Sequence, residues 1–327
     1  MKQKSMKFHA TVLENLLVWS LARSKALGAC PRKYYYSYIG SWEGWNEESP
    51  PEVQAAYRLK HLTTPDLEIG QIVHQQIRLI FEKACAGLPI HLATEIKIAQ
   101  EKFKTFIDYS RTRRLEDLTA KWRKLFCHES GKDVSQLELD TYVAKIGRLL
   151  DRFFSFEDVK MLVAEPARLI PELLDPLGFE VGNELRVPAR PKTDAVFLRD
   201  DATVVVCDWK CGASSEEHRT QGLIYDLFVR GRLGLPPEHS VEIRFFYLDD
   251  GELVSYSFGD EERAEADWLI GEQFAELQSL SDDPRINTGP EERFPALVSR
   301  ACFGCNHRLM CEDFLRSKFA TSSRVAP

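Results

Sequence analysis

Asp194 and the triplet Asp208-Trp209-Lys210 put two carboxylates and an amine into hydrophobic runs, KTDAVFLRD and TVVVCDWKCG. These are the groups needed to hold a divalent cation against a phosphodiester. Read as a strand, Thr203 to Lys210 points Val204, Val206, Asp208 and Lys210 to one face and Val205, Cys207 and Trp209 to the other. The acid and the amine therefore share a side. The preceding strand places Asp194, Val196 and Leu198 together, and a hairpin turning at Arg199-Asp200-Asp201 would bring Asp194 close to Asp208. Carboxylates that close repel, and a bound cation relieves the repulsion.

Two further elements supply polar groups that could complete such a pocket. In DLEIGQIVHQQIRLIF, His74 shares the face of Ile77 and Phe81, with Gly70 one turn earlier leaving room for close packing. A lone histidine on such a face is most often a satisfied core residue. Beside a carboxylate cluster, its neutral imidazole is a good ligand for Mn²⁺ and a weaker one for Mg²⁺. After the Asp-Trp-Lys strand, Gln221 and Tyr225 stand at i and i+4 of a helix. They either join the apolar packing of Leu223, Ile224, Leu227 and Phe228, or contact substrate and steady the lysine and a metal-bound water.

Cysteines form the second constellation. Cys302, Cys305 and Cys311 lie close together near the C-terminus, and Cys30 stands near the opposite end. Three thiolates at short spacing and a distant fourth suit a closed metal site, either four-cysteine zinc or an iron–sulfur cluster, that would staple the two ends of the chain. A redox dithiol at Cys302 and Cys305 is the simpler alternative, disfavoured by the third cysteine and by the lack of a thioredoxin-like βαβ context. Cys85, Cys127, Cys207 and Cys211 show no such clustering, and the last two read as small packing residues. Between Cys30 and Trp45, Tyr34, Tyr35, Tyr36, Tyr38 and Trp42 either stack on single-stranded bases or pack a helix into the core. Arg111, Arg113, Arg114, Lys121, Arg123 and Lys124 make either a phosphate-tracking face or an ordinary solvated helix surface.

The elements that must position these groups change along the chain. Helical periodicity covers Asp66 to Ala86, Thr94 to Ser110 and Ser135 to Phe156, with breaks at Asn46 to Pro51 and His128 to Asp133. After Pro166, Pro171 and Pro176, short strands are predicted at Phe179 to Pro188, Lys192 to Leu198 and Thr203 to Lys210. A helix at Glu216 to Leu233 follows, then strands at Glu242 to Leu248 and Leu253 to Phe258 around Asp249-Asp250-Gly251, and a helix at Glu261 to Leu280. Ser281 to Pro295 reads as a loop and Ala320 to Pro327 as a frayed tail. The pattern predicts a mixed α/β core with a helical subdomain. One elaborated domain spans 1–327, mainly helical over 1–160, catalytic over 161–280, with the cysteine-cluster segment at 281–327.

At 327 residues, with 44% hydrophobic and 28% charged, the chain has the make-up of a globular protein rather than a disordered one. Its net charge of −7 argues against a coat of positive potential, while leaving room for a locally basic channel. The best candidate for a membrane span, Leu13 to Ala22, is too short and sits beside Glu14 and Arg23, and no cleavage site follows an apolar core near the N-terminus. The expectation is a cytoplasmic protein without membrane contact. Its cysteines would then be ligands or buried thiols rather than disulfides.

Gly70-x-x-x-His74, Asp194, Asp208-Trp209-Lys210, Gln221-x-x-x-Tyr225 and the set Cys30, Cys302, Cys305 and Cys311, in this order, resemble the PD-(D/E)XK nucleases that carry an iron–sulfur cluster. The branch they resemble includes the RecB/AddB nuclease domains and the CRISPR-associated exonucleases of spacer acquisition. The resemblance implies a restriction-endonuclease-like core, a mixed central sheet flanked by helices. It implies that His74, Asp194, Asp208 and the backbone carbonyl of Trp209 bind Mg²⁺ or Mn²⁺, with Lys210 orienting or activating the attacking water. It also implies that Gln221 and Tyr225 assist with DNA, single-stranded or at ends, and that the four cysteines hold a [4Fe-4S] cluster, zinc being the alternative. Two departures are small: aspartate stands in the acid position before the lysine, and Thr193 where glycine often precedes the metal-binding Asp194. Glu184 matches an upstream acid of the family loosely. The sequence holds no Gly-x-x-x-x-Gly-Lys-Ser/Thr loop, so any ATP-driven unwinding would come from a partner such as a helicase, or from a CRISPR or defence component. The expected activity is a DNA exonuclease in repair, spacer acquisition or antiphage defence, the alternative being a subunit that grips DNA ends for a partner with little cleavage of its own.

Overall fold

The computed structural model describes residues 14–117, 123–170, 179–181, 187–189 and 191–317. Two short helices, α1 (Leu21–Ala29) and α2 (Pro31–Tyr38), lead into α3 (Pro51–Lys60) and the two-residue strand β1 (Leu62–Thr63). The long helix α4 (Pro65–Cys85) starts where the Thr64 hydroxyl accepts the Leu67 N–H and Pro65 pre-sets the first turn. Ile69, Val73, Ile77, Ile80 and Phe81 line its buried face at helical spacing. Next come α5 (Leu92–Thr112), β2 (Lys124–Leu125), the short α6 (Phe126–Glu129), α7 (Gln136–Ser155) and α8 (Glu157–Ala164). A reciprocal Ser135/Glu138 cap opens α7.

The segment read from sequence as one strand over Phe179 to Pro188 is instead two, β3 (Phe179–Val181) and β4 (Val187–Ala189), paired antiparallel. Glu184 and Lys121 lie outside the described residues. The main sheet is built from β5 (Ala195–Leu198), β6 (Val204–Lys210), β7 (Val241–Tyr247) and β8 (Glu252–Tyr256), in that spatial order. β5 and β6 form the expected antiparallel hairpin, with Ala195 opposite Cys207. The turn is held by Asp201, which accepts the Thr203 N–H and binds the Arg199 guanidinium, while Ala202 takes a left-handed φ of 64°. β6 runs parallel to β7, and the crossover between them is α9 (Glu216–Leu233), which stops at Gly234 in the left-handed region. α10 (Asp260–Leu280) and the short α11 (Glu312–Leu315) complete the helices named here.

β6 is covered on both faces, which explains its nearly unbroken apolar run. Val204 and Val206 pack with Ile243, Phe245, α9 and α10, whereas Val205, Cys207 and Trp209 pack with Phe246 and helices α4, α5, α7 and α8. Helices α4, α5, α7 and α8 are therefore one wall of an α/β/α sandwich, sharing its core rather than decorating it, while Leu27 of α1 and Tyr34 of α2 join the cluster on the other face. Among the described residues no helix is long and apolar enough to cross a membrane.

Candidate active site

Sheet register sets the site. Because β5 and β6 pair with Ala195 opposite Cys207, Asp194 enters beside Asp208 at the end of the hairpin. Its Oδ2 accepts the Trp209 backbone N–H at 2.9 Å, and its Oδ1 meets His74 Nδ1, carried in by α4, at 3.0 Å. Asp208, only 3% exposed, faces α9, and its Oδ1 lies 2.7 Å from Lys210 Nζ. That oxygen is buried without an aligned hydrogen bond. Asp208 Oδ2 faces the Tyr225 hydroxyl at 2.7 Å and Gln221 Nε2 at 3.3 Å. Gln221 Oε1 accepts from Lys210 Nζ at 2.8 Å, and since an ammonium only donates, the amide orientation is fixed. The Tyr225 oxygen also lies 2.7 Å from the Lys192 carbonyl, so its single proton serves either that carbonyl or Asp208.

Electrostatics follow from this crowding. Burial, then the charge of Asp194, push the Asp208 carboxyl up, while Lys210 and the Tyr225 hydrogen bond pull it back. Burial alone would lower the His74 imidazole, but hydrogen bonds to Asp194 and to the Cys211 thiol carry it up to about 10. Each carboxylate thus has its own nitrogen partner, His74 for Asp194 and Lys210 for Asp208. Among the described residues, no three His, Cys, Asp or Glu side chains are grouped as they would be around an ion. The donor set still suits a divalent cation: two mutually repelling carboxylates, one with a buried oxygen met by a charge but by no aligned hydrogen bond, beside an imidazole. At Trp209 the contact shown is its N–H on Asp194, not its carbonyl.

Cys30, Cys302, Cys305 and Cys311 line a single cavity of about 90 Å³, walled also by Arg32, Tyr36 and His307. Cys30 Sγ accepts the Leu297 N–H and Cys302 Sγ the Ser299 N–H, both at 3.4 Å, the kind of contact that steadies thiolates. Burial, and in smaller part the neighbouring cysteines, push the Cys305 and Cys311 thiols up. The four cysteines share this cavity, and thiolates are the donors a soft metal takes, but among the described residues they are not grouped as they would be around an ion.

Other expectations change. Tyr34 and Tyr36 are core residues, their hydroxyls spent on Asn287 and Glu291, leaving Tyr35, Tyr38 and Trp42 half-buried. Half of the basic run is already paired, Arg111 with Asp133, Arg123 with Glu68 and the buried Lys124 with Glu129, while Arg113 and Arg114 are exposed. Gly70 is not needed for fit, since a methyl there would meet Cys211 at an ordinary 4.0 Å. A larger groove of about 990 Å³, lined by Ile72, Lys97 and Phe106, holds none of the site's side chains.

Sequence reasoning missed Gly222, His218 and Phe245. A methyl on Gly222 would stand 3.1 Å from Phe245 and 3.3 Å from Ile243, so this glycine lets α9 press onto β7 and lowers Gln221 and Tyr225 onto Asp208. The signal for His218 was its spacing, three residues before Gln221 on the same helix face.

A model of the PD-(D/E)XK nuclease superfamily matches residues 18–312, reaching from before Cys30 to beyond Cys311. The chain belongs to the PD-(D/E)XK nuclease superfamily. A search of curated proteins finds no match. Membership makes the chain a metal-dependent nuclease of the kind that acts on DNA and generally uses Mg²⁺ or Mn²⁺. The mixed sheet flanked by helices agrees with a PD-(D/E)XK fold.

Proposed function

We propose that this PD-(D/E)XK protein is a deoxyribonuclease that degrades single strands or DNA ends as an exonuclease, in repair, spacer acquisition or antiphage defence. The observation that carries this reading is Asp194 and Asp208 side by side with Lys210 at 2.7 Å from the buried carboxylate. His74, Asp194, Asp208 and the Trp209 carbonyl would hold Mg²⁺ or Mn²⁺. When bound, such an ion supplies Lewis acidity to the scissile phosphate and to a water. Lys210 orients that water and donates to the phosphate. Gln221 fixes Lys210 through its carbonyl and Asp208 through its amide, and Tyr225 holds Asp208 in one rotamer. Neighbouring side chains are thereby locked before substrate arrives, which is the condition for electrostatic catalysis. The four cysteines hold a [4Fe-4S] cluster, with zinc as the other candidate.

Single strands labelled at the 5′ or the 3′ end, incubated with Mg²⁺ or Mn²⁺ and with chelator, test the reading. Stepwise shortening from one end, abolished by chelator, is expected. DNA binding without cleavage under every metal would instead make the chain an end-gripping subunit for a partner. For the cysteines, a brown preparation with stoichiometric iron and sulfide is expected, and a colourless anaerobic one with stoichiometric zinc would replace the cluster.

A further inference from the structure

His218 opens the α9 stripe that continues through Gln221 and Tyr225, at i, i+3 and i+7. One of its ring nitrogens is already committed. Nδ1 receives the Ser215 backbone N–H at 3.4 Å, closing the helix cap, and lies 2.8 Å from the Tyr247 hydroxyl. Since a backbone N–H can only donate, Nδ1 is the acceptor and the proton of the neutral ring sits on Nε2. The ring is also held in place: it stacks on Phe245 at 5.7 Å and 23°, and Lys210 Nζ lies 5.2 Å from the centre of that same phenyl ring. Tyr247, which fixes Nδ1, is the β7 residue paired with Lys210. His218 is half-buried, and Nε2 has no partner among the described residues. The neighbourhood suits an anion, since Lys210 and Lys25 lie close and Glu217 is tied to Lys25 at 2.5 Å.

Resting on the deoxyribonuclease reading, we infer that His218 is a further substrate contact, its Nε2–H donating to a phosphate oxygen of the DNA strand that crosses Lys210. Burial, then the charge of Lys210, lower the imidazole, and with Nδ1 committed as an acceptor the Nε2–H is the ring's free donor.

Two substitutions separate this role from helix capping. His218→Asn keeps an acceptor at the Nδ1 position and removes the Nε2 donor, whereas His218→Gln keeps a donor near Nε2 and puts a favoured capping residue three positions after Ser215. With a single-stranded oligodeoxynucleotide and Mg²⁺, His218→Asn is expected to melt like the wild type but to raise KM about tenfold, the loss of one hydrogen bond to a charged group. His218→Gln is expected to melt like the wild type and keep KM within about twofold of it, its donor being retained. In parallel, anisotropy of the same labelled oligonucleotide compares Asp208→Asn with Asp208→Asn/His218→Asn, and about tenfold weaker binding by the double variant is expected. An unchanged KM in His218→Asn, equal impairment of both variants, or equal binding by the anisotropy pair would overturn the assignment. If the wild type cuts nothing, the deoxyribonuclease reading fails, while the anisotropy comparison still decides whether His218 touches the strand.

Discussion

Asp208 is held by three groups, Lys210, Gln221 and Tyr225, and each of them makes a separable contribution. Tyr225→Phe removes the hydroxyl between Asp208 Oδ2 and the Lys192 carbonyl while leaving the ring in the core. A buried acceptor that loses a charge-assisted donor costs about 1.5–3 kcal/mol, so kcat/KM is expected to fall by about 10–100-fold. Steady-state kinetics beside a melting curve checks this, and unchanged kinetics would show that Gln221 and Lys210 suffice to position the carboxylate. At this scale the sequence was informative wherever chemistry alone selects the residue type. Asp194, Asp208 and Lys210 had to be polar inside apolar runs, and the structure brings them together with His74, Gln221 and Tyr225. Tyr34 and Tyr36 were ambiguous because a tyrosine that stacks on a base and one that packs a core have the same sequence signature.

α9 and the β5–β6 hairpin set the site's precision. The helix was legible from Glu216 to Leu233, because Ser215 caps its start and Gly234 takes the left-handed conformation at its end. Its distance from the sheet was not, since nothing in the spacing of Gly222 reveals that Phe245 lies beneath it. Gly222→Ala sets better helix propensity against a contact of 3.1 Å with a ring that is itself fully buried. Overpacking of this kind costs about 1–3 kcal/mol. The expectation is a lower Tm and lower activity together, because the same displacement lifts Gln221 and Tyr225 from Asp208. A higher Tm with full activity would mean that Phe245 can retreat. The strand misread over Phe179 to Pro188 failed for a related reason: two three-residue strands carry too few alternations to show their boundary.

Across the whole molecule, the sheet and the helical wall are joined by charge as well as by the core. Arg244 on β7 grips both oxygens of Asp158 on α8, at 2.7 and 2.6 Å, and binds Glu242, which Arg199 also reaches. Burial pushes the Glu242 carboxyl up, but hydrogen bonds from Arg244 and Arg199 hold it below its ordinary value. A folded-state value below the unfolded one stabilises the fold above the ordinary carboxylate range, and the contribution is lost as pH falls through it. Arg244→Met is therefore expected to lower stability at neutral pH and to flatten the acid limb of a denaturation profile, and an unchanged acid slope would remove this network from the account. At the chain ends, Asn15 bonds the carbonyls of Tyr38 and Asn287, and Tyr34 bonds the Asn287 side chain, beside the cavity region that gathers Cys30 with Cys302, Cys305 and Cys311. Sequence showed that distant cysteines could meet; only the fold supplies the walls around them. The central claim, that Asp208 and Lys210 act on a phosphodiester, is tested most directly by cleavage of labelled single-stranded DNA with Mg²⁺ or Mn²⁺ by the wild type, Asp208→Ala and Lys210→Ala. The account predicts that each variant loses about 100–1,000-fold or more in kcat while still binding DNA; cleavage at the wild-type rate by both variants would contradict it.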